Sequence, residues 1–231
     1  SYVAIQATDL AAVREFVSAQ PLPAWAEGAV ELQVWLGWDA GVPSIELQLE
    51  GRDWLISSLN GSWELPLQRL ALQANLARSD ARWSVTVSDI ALKQDDVSVV
   101  LPALQLGIAG KTAQLLTRDV VLEDVAALMS VSAALPAQLR DIAAALNPRG
   151  RLPALEITLS DIEKPRDTWR ARANFDDLEV DSYRGAPGSD AISGYVTLSP
   201  GEGLVTIDSQ NPTLDFPTVF TQPLTFDELY G

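Results

Sequence analysis

Period two dominates this chain. Apolar side chains recur at alternate positions in Val30, Leu32, Val34 and Leu36, then in Ile45, Leu47 and Leu49, then in Leu70, Leu72, Ala74 and Leu76. The pattern continues through Trp83, Val85 and Val87, through Val97, Val99 and Leu101, and through Leu104, Leu106 and Ile108. Successive residues of a strand point to opposite faces, so this spacing builds strands with one apolar and one polar face. Trp35 falls on the polar side of the first run. Short breaks at Asp39-Ala40-Gly41-Val42-Pro43 and Arg78-Ser79-Asp80 predict antiparallel neighbours.

Helical patterns punctuate the strands. Thr8 or Asp9 is suited to cap a helix running to about Ala19, with Leu10, Val13, Phe16 and Val17 on one face and Pro21 and Pro23 beyond its end. A second helical region covers 122–135 and 136–147, stopped by Asn147-Pro148-Arg149-Gly150. Strands follow near 152–161, 168–180, 192–199 and 203–209, with a hairpin turn at Ser199-Pro200-Gly201-Glu202-Gly203. Asp9 and Asp124, Pro21 and Pro136, and Pro102 and Pro217 each sit 115 residues apart. The spacing divides the chain into two helix-plus-meander units, 1–118 and 119–231, the second truncated. Both ends read as cut from a longer chain, with Thr225 to Gly231 resembling an unfinished strand and turn.

An apolar strand face must meet something. Either a second sheet packs on it as in a sandwich, or the sheet stays open and curved around another apolar occupant. Two short amphipathic helices are too few to cover about twelve strands. Strands of ten residues span about 33 Å, wide enough for a folded trough.

Composition narrows the function. The chain has 231 residues, 47% of them hydrophobic, seven Trp and a net charge of −15, which fits a folded acidic protein and not a disordered tail. Such a charge repels phosphate backbones, so nucleic acid is not an expected partner. There is no Cys and no His, which removes thiolate chemistry and the commonest general base and metal ligand. No apolar run reaches the about 20 uninterrupted residues that span a bilayer.

The sharper motifs have plainer explanations. Gln105-Leu106-Gly107-Ile108-Ala109-Gly110-Lys111-Thr112 approximates a phosphate loop, but Gln105 replaces the first glycine and a strand pattern follows. A phosphate there finds no helix N-terminus, so a β-turn is expected. Asp95-Asp96, Asp176-Asp177 and the Asp181/Asp190 neighbourhood offer carboxylates for glycoside hydrolysis or calcium. Among 31 acidic residues such doublets arise readily, and strand neighbours point to opposite faces. Each Trp alone reads as core. Leu22-Pro23-Ala24-Trp25 and Leu135-Pro136 suit a membrane-touching tip, against which the flanking acidic residues argue.

Several stretches resemble the AsmA-like YhdP family of large bacterial envelope proteins. They are Leu146-Asn147-Pro148-Arg149-Gly150-Arg151-Leu152 after an Ala/Leu-rich helix, and Trp169 through Val180 (WRARANFDDLEV). Pro187-Gly188 with Ile192-Ser193-Gly194-Tyr195-Val196 also matches, as does Leu214-Asp215-Phe216-Pro217 with Phe220-Thr221-Gln222-Pro223-Leu224. The first half agrees in style through Trp35, Gly37, Trp38 and Arg52-Asp53-Trp54. The resemblance implies a segment of a long periplasmic protein whose N-terminal inner-membrane anchor lies outside these residues. It implies an extended β-groove along which phospholipids move toward the outer membrane, with other envelope proteins at its ends.

The expected architecture is mainly β with short helices, an elongated curved antiparallel groove. The expected activity is non-catalytic, with phospholipid acyl chains as the partner and neither metal nor cofactor. Alternation puts Leu32, Val34, Ile45, Leu47, Leu72, Val85, Val87, Leu155, Ile157 and Leu159 on the lining. The rival expectation is a structural or adhesive β-solenoid with a closed core, and a third is a carboxylate-dependent polysaccharide hydrolase.

Overall fold

The computed structural model describes residues 4–9, 24–39, 42–58, 64–79, 82–132 and 135–231. The chain divides into two compact units, Ser1–Gln105 with Val131–Pro136, and Leu106–Ser130 with Ala137–Gly231. The helix expected over 9–19 lies outside the described residues, beyond the strand that ends at Asp9.

The first unit is an open antiparallel sheet. Its strands are β1 (Ala4–Asp9), β2 (Ala24–Asp39), β3 (Val42–Ser58), β4 (Glu64–Ser79), β5 (Arg82–Gln94) and β6 (Val97–Leu101). They pair in chain order from β1 to β5, with β6 hydrogen-bonded to β5. β2, β3 and β4 run 16, 17 and 16 residues, well beyond the alternating cores legible in the sequence. Such strands reach about 53 Å. Pro66 is tolerated within β4 because β5 pairs only from Arg69 onward, leaving β4 as an edge there.

The strands outrun their sequence pattern because the alternation changes phase at bulges. In β5 the apolar residues are Val85 and Val87 before Asp89, then Ile90 and Leu92 after it. Asp89 has φ +53°, and between Gln73–Ser88 and Ala71–Ala91 three steps of β5 match two of β4. Asp53 does the same in β3 with φ +52°, so Ile45, Leu47 and Leu49 are continued by Trp54 and Ile56. Aspartate enters the left-handed region more readily than most side chains. One extra residue re-aims the strand, so both segments keep their apolar residues on one face.

The second unit contains β7 (Leu104–Ala109, its first two residues in the first unit), β8 (Thr112–Thr117), β9 (Val120–Val121) and β10 (Arg149–Leu159). They are followed by β11 (Trp169–Val180), β12 (Gly188–Ser199) and β13 (Glu202–Gln210), with short β14 (Thr213–Asp215), β15 (Leu224–Thr225) and β16 (Glu228–Tyr230). The main order is β7-β8-β10-β11-β12-β13-β16, again antiparallel and open. Asp177, φ +49°, marks a third bulge between Phe175–Gly194 and Leu178–Ile192.

Helices α1 (Leu122–Val131) and α2 (Ala137–Leu146) and the short α3 (Pro165–Thr168) complete the fold. Glu123 and Asp124 occupy the first turn of α1, where negative charge complements the helix dipole. α2 ends at Asn147, φ +44°, and the Asp181 N–H donates to the Leu146 carbonyl at 2.8 Å, tying the helix end to the chain leaving β11. Gly150, φ +109°, is required: a Cβ there meets the backbone carbonyls of Asp176 and Asp177 at the bulge. No described helix is long and apolar enough to cross a membrane.

Candidate functional site

Register converts the alternating residues into a wall. In the first unit one cross-strand row reads Val34, Leu47, Ala74, Val87, and the next Leu36, Ile45, Leu76, Val85. On the other side lies Leu32, Leu49, Leu72, then Val30, Gly51, Leu70, Leu92. Seven of the expected lining residues, Leu32, Val34, Ile45, Leu47, Leu72, Val85 and Val87, therefore share one face. In the second unit Leu155 is flanked by Thr117 and Ala173, Ile157 by Leu115 and Ala171, and Leu159 by Ala113 and Trp169. Those three share one face of their own sheet.

All ten are half-buried, none fully. Paired strands cover their flanks, and the outer part of each side chain stays accessible. A facing layer packed at interior density would have buried them.

One end of the first wall is filled. Trp54, 7% exposed, clusters with Val30 and Leu67, and Leu32, Leu49, Leu70 and Leu92 pack against them. Its ring lies where Gly28 and Gly51 lack side chains, and its indole N–H donates to the Ala29 carbonyl at 2.8 Å. Trp54, Ile56, Ile90 and Leu92 belong to this face and lie beyond the stretch read from simple alternation. Their signal in the sequence is an apolar alternation that switches parity at an aspartate.

The remaining tryptophans divide. Trp38 is 57% exposed near the β2–β3 hairpin, and Trp83, also exposed, sits under the Arg78 guanidinium 5.2 Å from the ring centre. Trp35 is half-buried on the polar face, and Trp169 ends a row of the second wall. The side chains of Trp25 and Trp63 lie outside the described residues, as do Leu22 and Pro23 of the proposed tip.

Of the catalytic candidates only Asp181 and Asp190 come together, lining one open hollow with Glu179 and Asp215. Asp95 and Asp96 form the exposed turn between β5 and β6, and Asp176 and Asp177 are exposed at a bulge. Asp181 accepts from Asn147 Nδ2 at 3.3 Å. Among the described residues no group of three or more acidic side chains is arranged to hold a metal. Gly110 and Lys111 make the β7–β8 turn, and Lys111 Nζ is paired with Glu163 at 2.8 Å, so the phosphate-loop look-alike is a hairpin.

These features define a class, a mainly β protein built on open antiparallel sheet with aligned apolar rows on one face. The chain belongs to the YhdP family, whose profile, described as YhdP protein, matches residues 1–231. Neither the curated proteins nor the solved structures yield a match.

Proposed function

We propose that this chain is a stretch of a bridge-like lipid-transport protein of the bacterial envelope, holding phospholipid acyl chains against its apolar sheet faces in the periplasm. The observation that carries the proposal is the half-buried apolar rows, seven of the expected lining residues on one face of the first sheet and three on one face of the second, and family membership supports it. Each methylene removed from water is worth about 0.8 kcal/mol, so a two-chain lipid crossing an aqueous gap faces tens of kcal/mol. A wall of repeated Leu, Val and Ile rows replaces that barrier with many small, similar steps. The role of the lining is apolar solvation, with no bond made or broken and no cofactor. Other envelope proteins meet the ends of the longer protein. A closed-core solenoid fits less well, because sealing would bury these rows.

Photo-cross-linking tests this directly. A benzophenone amino acid at Leu47 or Ile157 is expected to capture lipid in cells, and one at Gln48 or Glu156, on the opposite faces, is not. Equal labelling of both faces, or no lipid at Leu47 and Ile157, overturns the proposal.

A further inference from the structure

The polar face of the first unit carries a feature that lipid handling leaves unused. Trp35, Glu46, Gln48, Gln73, Asn75 and Thr86 surround an open hollow of about 460 Å³. Register aligns them in two rows: Trp35, Glu46, Asn75 and Thr86 in one, and Gln33, Gln48, Gln73 and Ser88 in the other. An indole on the polar side of a sheet gains nothing from the core on the other side. Among the described residues the side chains of Gln48, Gln73, Asn75 and Thr86 have no hydrogen-bond partner, whereas Gln114 on the polar face of the second unit donates to Glu156 at 2.9 Å. The hollow thus offers carboxamides, each both donor and acceptor, around one aromatic plate and a single charge.

We propose that this hollow binds a neutral oligosaccharide laid across β2 to β5. A sugar ring offers an apolar face to stack on the indole and a rim of hydroxyls for carboxamides and Thr86. Four strands span about 14 Å, the scale of a short oligosaccharide. The chemistry disfavours other classes. An anion meets Glu46 and a chain of net charge −15, with no Arg or Lys in the hollow. An extended peptide needs an unpaired strand edge, and β3 and β4 are paired on both sides. An acyl chain leaves the amides without partners. The inference stands on the face opposite the lipid wall, so it survives or fails independently of the lipid reading.

Titration with cellotetraose and with tetra-N-acetylchitotetraose, followed by the indole and side-chain amide resonances, provides the test. At least one sugar is expected to move the Trp35, Gln48, Gln73 and Asn75 signals saturably at millimolar concentration or below. Trp35→Ala should weaken binding at least about tenfold, Trp35→Phe should restore most of it, and Gln48→Ala should weaken it severalfold. The acetamido sugar binding better than the glucan assigns the ligand to the amino-sugar class, and the reverse assigns it to plain glucans. No saturable shift with either sugar, or equal affinity in wild type and Trp35→Ala, overturns the proposal.

Discussion

In the first unit the apolar rows are mostly Leu, Val and Ile, with Ala74 and Gly51 among them, on strands of 13 to 17 residues, whereas the second sets Ala171, Ala173 and Gly194 beside its Leu and Ile on strands of 12. Both units nevertheless use the same local device. An aromatic ring fills the space a glycine leaves, beside an aspartate bulge: Trp54 over Gly28 and Gly51 next to Asp53, and Phe175 over Gly194 near Asp177. Glycine weakens a strand, and an aromatic neighbour restores the lost packing. The outcomes differ in extent. Trp54 closes one end of a long wall and leaves the rows beyond it half-buried. Phe175 sits among smaller residues, and Ala173 and Ile192 beside it are buried at 7% and 5% exposure.

The strongest way to break this comparison is to remove the two rings. Trp54→Ala should cost about 4 kcal/mol, because it empties the volume over two glycines and strands the Ala29 carbonyl. Phe175→Ala should cost about 3 kcal/mol, with no hydrogen bond at stake. Urea unfolding of the two variants measures both. A larger loss for Phe175→Ala would show that the second unit, not the first, depends more on its plug.

The glycines beneath the rings sharpen the same point. At Gly194 a methyl group meets the Thr206 carbonyl as well as the Phe175 ring, and backbone cannot step aside. At Gly51 the obstacle is the Trp54 ring, a side chain able to shift. Gly194→Ala should therefore destabilise by about 3 kcal/mol and Gly51→Ala by about 1 to 2 kcal/mol. Equal effects on the melting temperature would mean that the Trp54 ring is as immobile as the backbone.

How far the sequence carries depends on where the alternation keeps its phase. Val30 to Leu36, Ile45 to Leu49 and Leu155 to Leu159 hold strict period two, and their placement on the apolar faces was readable from the residues alone. The continuation through Trp54 and Ile56, or Ile90 and Leu92, was not, because each bulge inserts one residue and inverts the parity. Half-burial of these rows was also illegible: alternation specifies which residues share a face and says nothing about whether a second layer covers them. The amides around Trp35 required register, since Trp35, Gln48 and Gln73 come from three separate strands.

The bulges themselves are testable. Asp53, Asp89 and Asp177 all have φ near +50°, a conformation that costs L-residues about 1 to 2 kcal/mol and glycine almost nothing. Asp89→Val should lower stability by about 1 to 2 kcal/mol, and Asp89→Gly should leave it within about 0.5 kcal/mol. The same pair at Asp177 should behave alike if the device is shared. Chemical denaturation of the four variants compares them, and a tolerated Asp89→Val would show that the phase change in β5 does not need that backbone.

The smallest effect isolates a polar atom buried without a partner in the second wall. Thr117 is buried beside Leu155, in the row that continues to Ala173 and Val196, and its hydroxyl has no hydrogen-bond partner. The rows of the first wall, such as Leu32, Leu49 and Leu72, present only hydrocarbon. A buried hydroxyl without a partner forfeits the hydration it had in the unfolded chain, and Val replaces it with a methyl of nearly the same shape. Thr117→Val should therefore raise stability by about 1 kcal/mol, read as an increase in the denaturation midpoint without a change in slope. A decrease would mean that the hydroxyl is satisfied by a bound water, and that the second wall is wetter than the first at this row.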